Sequence, residues 1–368
     1  MSKSLNKLLE CLESLNDPRQ SWKVLYPLEE VLLIVLAATA SGADDFVEMT
    51  EWAEIHLDFL QRFYPYERGI PSHDTLNDVM NAFDNQVFES LFVDWVNALS
   101  EVDADLVSID GKTSRRSGGA DQKPLHLVSA WAGEQNLVLG QEATNEKSNE
   151  ITAIPALLKR LDISGSLITI DAMGTQKAIA RQILVSKGDY LLAVKGNQET
   201  LYDDVRMFFQ QPPKGYTIDD YSTIEKDHGR IEQRRCRICT DVDWLKQRHN
   251  WEGLAAIVEV SLTTEKKGSS STYCRYYICS LAMSAKAALY AVRSHWGIEN
   301  KLHWVLDVVF KEDHARVRSG NGAKNMAIVR HIITNLLRQA QGKASLKVKR
   351  KKAAWSVEFL EKLLRQEL

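Results

Sequence analysis

Leu106-Val107-Ser108-Ile109-Asp110-Gly111-Lys112-Thr113 is the stretch from which the rest of the chain can be read. Its β-branched, apolar start predicts a short buried strand, and the small residue behind the aspartate predicts a turn. The pattern recurs at Leu167-Ile168-Thr169-Ile170-Asp171, followed by Ala172-Met173-Gly174. Far downstream, Arg293-Ser294-His295-Trp296-Gly297-Ile298-Glu299-Asn300 reads as a helix carrying one acid, Glu299. On α/β scaffolds, catalytic groups gather where strand C-termini open into a crevice. Two strand-end aspartates and a helix glutamate form an oxygen-only ligand set suited to a pair of hard cations such as Mg²⁺. Taken singly, each acid has an ordinary explanation: a strand-end Asp commonly caps a turn, and a helical Glu is commonly solvated. Their joint occurrence is what points to phosphodiester chemistry.

Composition narrows the class. The chain has 368 residues, 44% hydrophobic and 26% charged, ordinary for a globular protein and long enough for two or three domains. Its longest apolar run, Val31 to Ala38, is far short of the ~20 residues a membrane span needs, so it predicts a buried helix and no membrane partner. No export signal opens the sequence, and five cysteines, an odd number, suit a reducing compartment. The cytosol is the expectation. Cys236-x₂-Cys239 and Cys274-x₄-Cys279 mimic zinc half-sites imperfectly and read better as buried thiols.

The net charge of −3 hides a steep gradient. Residues 1–110 hold 6 basic and 21 acidic side chains, a net of −15, whereas residues 293–352 hold 14 and 4, a net of +10. One surface is thus suited to a polyanion and another is not. Residues 1–100 read as helices at Leu5–Leu15, Leu28–Ala40, Val47–Phe63, Ser72–Phe83 and Val87–Leu99, an accessory module too acidic for unaided DNA binding. Residues 101–338 read as an α/β domain with a mixed sheet flanked by helices, of ribonuclease-H-like type. Its strands are 106–110, 125–131, 137–141, a strand ending at Asp171, and 190–194, with helices near 150–161 and 175–187. A β-rich insertion at about 212–283, with strands near 221–224, 231–239, 255–262 and 272–279, separates Asp171 from Glu299. Residues 339–368 read as a basic tail, and its Lys349, Arg350, Lys351 and Lys352 are expected to touch phosphate.

On the Glu299 helix, spacing of four puts His295, Glu299 and His303 on one face. His295 reads equally as a phosphate contact or a packing residue, and His303 reads as packing. Lys112, Arg115 and Arg116 follow Asp110 and are candidates for the DNA backbone, as are Arg293 and, from the Asp227-His228-Gly229-Arg230 hairpin turn, Arg230.

These residues resemble those of the H-repeat-associated transposases, DDE enzymes of bacterial insertion sequences. The resemblance rests on Ile109-Asp110-Gly111-Lys112, Ile170-Asp171-Ala172-Met173-Gly174-Thr175-Gln176, Ala193-Val194-Lys195-Gly196-Asn197-Gln198 and His228-Gly229-Arg230-Ile231-Glu232. Above all it rests on His295-Trp296-Gly297-Ile298-Glu299-Asn300 with Leu302-His303-Trp304-Val305-Leu306-Asp307-Val308. It spans nearly the whole chain. It implies a catalytic triad of Asp110, Asp171 and Glu299 holding two Mg²⁺ ions, with Mn²⁺ able to substitute. It also implies double-stranded DNA as partner, cleavage at terminal inverted repeats, 3′-OH strand transfer into target DNA, and a homodimer on paired ends. One departure stands out: Val292, His295 and Leu306 occupy positions where related families carry Tyr, Arg and Lys. The phosphate role of the Arg would then pass to His295 or Arg293. Two other classes were weighed: a catalytically silent DNA-binding descendant of a transposase, and a two-carboxylate glycoside hydrolase, which the basic clusters disfavour.

Overall fold

The apolar segment Leu28–Ala40 has no polar stripe, so it cannot lie on a surface, and it forms the buried hub of the helical part of the molecule. The computed structural model describes residues 7–99, 105–119, 123–144, 150–227, 229–266 and 269–367, apart from Pro18, Ser21 and Lys23. In chain order α1 (Lys7–Glu13), α2 (Leu28–Ala40), α3 (Phe46–Ile55), the single turn α4 (Leu57–Leu60), α5 (His73–Ala82) and α6 (Asn85–Leu99) precede the sheet. Residues 5 and 6 of the first expected helix lie outside the described residues. The single helix expected at Val47–Phe63 is broken at His56, whose backbone leaves the helical region.

Strands β1 (Leu106–Thr113), β2 (His126–Ala132) and β3 (Leu137–Ala143) form an antiparallel meander. Helix α7 (Glu150–Leu158) then leads to β4 (Leu167–Ile170), and α8 (Lys177–Val185) leads to β5 (Asp189–Val194). β4 runs parallel to β1 and β5 runs parallel to β4, so their apolar runs are covered on both faces. After α9 (Glu199–Gln210) come β6 (Asp219–Asp227), β7 (Arg230–Cys239), α10 (Asp243–His249), β8 (Ala256–Lys266) and β9 (Ser269–Cys279). The order is β3-β2-β1-β4-β5-β9-β8-β7-β6, a single nine-stranded mixed sheet. The insertion strands fall where the sequence places them. They do not form a separate unit, because β9 pairs antiparallel with β5 and extends the central sheet. Asp227 and Arg230 are paired, as the expected hairpin requires, while His228 lies outside the described residues.

The chain returns across the sheet as α11 (Ala285–Gly297), a π-helical segment Ile298–His303 and α12 (Trp304–Val308). It then enters the long buried helix α13 (Gly322–Gln339), which packs on α2, α5, α6 and β3 and joins the helical region and the sheet into one core. The last helices, α14 (Leu346–Trp355) and α15 (Val357–Leu364), pack on α2 and α13. The expectation of a loose basic tail is therefore corrected: this segment folds. Among the described residues no helix is long and apolar enough to cross a membrane. The five cysteines are free, and none belongs to a metal-binding group among the described residues.

Candidate active site

Parallel pairing of Ile109 with Ile170 brings the next residue of each strand, Asp110 and Asp171, to the same end of the sheet. Asp171 also caps the tight turn Ala172–Gly174, its carboxylate accepting the Met173 N–H at 3.0 Å. Gly174 is obligatory there, since a Cβ would lie 2.3 Å from Ile170 Cγ2 and 2.8 Å from Ile154 Cδ1 of α7. The segment Lys195–Gln198 buttresses the turn from behind. The Asn197 side chain donates to Ala172 O, Gln198 donates to Thr175 O at 3.0 Å, and the Thr175 hydroxyl donates to Ala193 O. A sequence motif with no chemistry of its own is thereby explained as a support for Asp171.

Helix α11 crosses this strand end, started by Ser284, whose hydroxyl accepts the Ala287 N–H. The π-helical turn at its end contains Glu299. Such turns are rare and tend to occur at functional positions, because the extra residue re-aims a side chain without ending the helix. Asp110, Asp171 and Glu299 line one cleft of about 140 Å³, with Lys195, Arg275, His295 and Trp296 among its other walls. Ligand atoms of Asp110, Glu299 and His303 lie within 4.8 Å of one another. His303, buried as its reading as a packing residue expects, has its Nδ1 3.7 Å from Asp110 Oδ2 and 3.5 Å from Glu299 Oε2. Its Nε2 is buried with no hydrogen-bond partner among the described residues.

The acids are crowded and form no ion pair with Lys or Arg among the described residues, although Lys195 lines the same cleft and its charge acts to lower Asp171. Burial, then the neighbouring Glu299 charge, pushes the Asp110 carboxyl up to about 8. Asp171 is raised by burial and by the charge of Glu150, against backbone hydrogen bonds that lower it. Burial pushes the His303 imidazole down, and it pushes His295 down to about 4. His295 Nδ1 lies 2.9 Å from the Thr169 hydroxyl, so His295 reaches the cleft as a neutral ring and not as a cation for phosphate.

Other expected contacts are redistributed. Lys112 is turned inward, its ammonium 2.7 Å from Asp307, 2.9 Å from Glu312 and 3.5 Å from Asp313, and it is unavailable to DNA. Lys349 and Arg350 are buried. Lys349 donates to Ala340 O, and Arg350 donates to Thr39, Val309 and Ala43 carbonyls and to Asp44, over the Phe310 ring. Lys349 thus fastens α14 to the end of α13 and Arg350 fastens it to α2 and the segments after α2 and α12, and their assignment to phosphate is corrected. Arg115, Arg116, Lys351 and Lys352 are exposed, Arg115 facing Asp313 at 3.2 Å. Arg230 and Arg293, distant in sequence, line one cleft of about 450 Å³ with Arg234, Arg275, Tyr273, Trp296 and Asn300. Arg230 pairs with Glu232 and Arg293 with Glu225. This cleft adjoins the acidic one, sharing Arg275 and Trp296. Sequence reading missed Arg275, a lone basic residue in a strand with nothing around it to mark it. Lys195 was inside a quoted motif but was assigned no role.

A ribonuclease-H-like sheet that gathers three carboxylates beneath a crossing helix defines a class, the polynucleotidyl transferases. Comparison with known proteins narrows it. A family model described as "Transposase DDE domain" matches residues 99–336, and one described as "DDE_Tnp_1-associated" matches residues 9–96. The "H repeat-associated putative transposase YhhI" of Escherichia coli strain K12 is 40% identical over 373 residues, covering 98% of each chain. The "Putative transposase YncI" of Escherichia coli O157:H7 is 40% identical over 374 residues, covering 98% of this chain and 95% of that protein. A shorter relative, "Inactive transposase YbfQ" of strain K12, is 40% identical over 77 residues, 21% of this chain and 92% of its own length. The chain belongs to the DDE transposase family.

Proposed function

We propose that this protein is an active insertion-sequence transposase that cleaves DNA at terminal inverted repeats and joins the freed 3′-OH to target DNA, with Asp110, Asp171 and Glu299 as its catalytic, metal-binding triad. The observation that carries the reading is the convergence of three sequence-distant carboxylates in one cleft with no Lys or Arg nitrogen within 4.0 Å among the described residues. Burial of Asp110 and Asp171 beside further acids disfavours their charged forms, and a bound cation would offset that cost. An all-oxygen set beside one imidazole suits Mg²⁺ or Mn²⁺. Two such ions, when bound, would supply Lewis-acid stabilisation of the attacking and leaving oxygens of the phosphodiester.

The protein's own residues account for the remaining requirements. Asp110, central on β1, faces both other acids, while Asp171 is fixed by its turn and Glu299 by the π-helical segment. His303, held neutral by burial, spaces Asp110 from Glu299. Arg275 and Lys195 at the rim, with Arg230, Arg234 and Arg293 beyond, offer a cationic path for a phosphate backbone. Exposed Tyr273 and Trp296 offer faces on which bases can stack. Water attacks the phosphorus at the element end and the P–O3′ bond breaks, leaving a 3′-OH. That hydroxyl then attacks a target phosphodiester and displaces its 3′ oxygen. No covalent enzyme intermediate is formed. Synapsis of two ends calls for a homodimer on DNA.

The test is strand cleavage of a duplex carrying the flanking inverted repeat, in Mg²⁺, by wild type and Asp110→Asn. Cleavage by wild type and its loss in the variant, with DNA binding retained, supports the reading. End binding without cleavage by wild type would favour the silent, DNA-binding alternative, which the name of the inactive relative keeps in view.

A further inference from the structure

Trp131, near the end of β2, is fully buried, and its indole Nε1–H has no hydrogen-bond partner among the described residues. A buried tryptophan N–H normally finds an acceptor, so a lone one calls for a reason. Two glycines show where it points. A Cβ at Gly297 would lie 3.7 Å from Nε1 and one at Gly133 would lie 3.8 Å from it, and neither would meet any other side chain within 4 Å beyond its chain neighbours. Trp131, Gly133 and Gly297 line a third cleft, of about 470 Å³. The N–H is thus aimed at the part of the wall where two side chains are missing. Tyr290, Ser294, Gly297 and Lys301 form the helical side of this cleft, whereas Val292, His295, Trp296 and Glu299 line that of the acids. The two sets lie about half a helical turn apart, so α11 and its π-helical extension stand between this cleft and the carboxylates.

The lining is rich in donors. Lys286 and Lys301 form no ion pair among the described residues, Lys301 donating to the Asn136 side chain at 3.0 Å. The Thr223 hydroxyl is buried there and, like the indole, has no partner among the described residues. Arg293 is already held by Glu225, and Glu134, the one acid among the described lining residues, accepts the Tyr290 hydroxyl at 3.0 Å. The Arg338 guanidinium lies over the Trp131 ring, 4.7 Å from its centroid, and adds positive charge beside the N–H.

We infer that this cleft is a phosphate subsite, in which one anionic oxygen accepts the Trp131 N–H while Lys286 and Lys301 balance the charge. Donors reach it from the end of β2, the start of α11 and the π-helical segment, which suits a tetrahedral group bearing several acceptor oxygens better than a planar carboxylate. The phosphate comes either from a DNA backbone passing across α11 or from a free phosphate ion. The inference goes beyond the catalytic reading and does not depend on it, since a chain that never cuts DNA can hold phosphate here.

Two probes applied to the full chain test it: a fluorescein-labelled duplex of unrelated sequence, followed by anisotropy over a salt series, and inorganic phosphate, followed by the rise in Tm. Trp131→Phe keeps a ring beneath Arg338 and removes the N–H. Gly133→Ala sets a methyl group before Nε1 in space the fold leaves open. Lys286→Gln removes an exposed charge. For a backbone phosphate, Trp131→Phe and Gly133→Ala weaken duplex binding about threefold to tenfold, and Lys286→Gln flattens the slope of log Kd against log salt by about 0.9. For a free phosphate ion, duplex binding stays at the wild-type level and the phosphate-dependent rise in Tm is lost in the same variants. Either pattern supports the subsite and identifies its source. Wild-type responses to both probes in Trp131→Phe and Gly133→Ala, or no response to either probe in wild type, would overturn it. Should Trp131→Phe fold poorly, Gly133→Ala and Lys286→Gln decide by the same two readouts. Absence of cleavage by wild type with these responses intact would overturn the catalytic reading and leave this one standing.

Discussion

Asp110 and Lys112 stand two residues apart on one face of β1, yet they enter charged clusters that solve the problem of buried charge in opposite ways. Lys112 meets Asp307, Glu312 and Asp313, while Arg330 lies 3.6 Å from Glu312 and Arg115 lies 3.2 Å from Asp313. Three acids face three bases, and the charge closes on itself. Asp110 meets Asp171, Glu299 and His303, and among the described residues no Lys or Arg forms an ion pair with those acids, Lys195 and Arg275 standing at the cleft's walls. Burying ions is costly in either case, but only the first cluster is compensated from within. The difference separates a cluster that serves the fold from one whose charge is left open, as the proposed metal-binding role requires.

The largest effect should come from Asp110→Asn. Loss of a central ligand removes several kcal/mol of charge stabilisation in the transition state, so cleavage should fall on the order of 10³-fold or more. Stability should be unchanged or higher, since a repelling charge is lost; a matching collapse in Tm would show that Asp110 is merely structural. The compensated cluster should respond the other way round. Glu312→Gln takes from buried Arg330 its carboxylate at 3.6 Å and from Lys112 one of three acids, and should cost about 3–5 kcal/mol, measured as a lowered urea midpoint. A cost within error would erase the contrast between the clusters. Next in size, saturating Mn²⁺ should raise wild-type stability by about 1–3 kcal/mol and leave Asp110→Asn unmoved, read as a Tm shift. The smallest effect concerns pH in the absence of metal. Asp110 titrates near 8 in the folded chain and near 4 when unfolded, so the folded state binds the proton more tightly between those values. Stability should therefore decline as pH rises from about 5 to about 8, and the decline should flatten in Asp110→Asn or when Mg²⁺ is added.

Much of the fold was legible because period and punctuation agree. The β-branched run ending in Asp171 had one reading, and the hub helix at Leu28–Ala40 had no polar face to offer solvent, but the turn expected at Gly111 is absent because β1 stays paired with β2 as far as Thr113. The site was less legible. A run such as Lys347-Val348-Lys349-Arg350-Lys351-Lys352 reads the same whether its helix floats or docks. The clue lay in Lys349, Arg350 and Ala353 sharing a face, the face that is buried. Lys112 was misplaced because its three acidic partners follow it in sequence by about two hundred residues, and such pairings leave no local trace. The π-helical turn at Ile298–His303 has no compositional signature, so the closeness of His303 to two carboxylates could not be foreseen from spacing four alone.

The joining of β9 to β5 has a consequence for where DNA would be cut. Four rungs of backbone pairing, from Leu191–Cys279 to Val194–Tyr276, bind the arginine-lined cleft to the strand beside the acids. A shared sheet bends far less readily than a linker swings, so the distance from Arg275 to the acids is set by the spacing of neighbouring strands across the sheet. On the proposed function, a strand held at Arg275 would meet Asp110 and Glu299 at a constant number of nucleotides from its point of capture, the spacing being set by the molecule's own architecture.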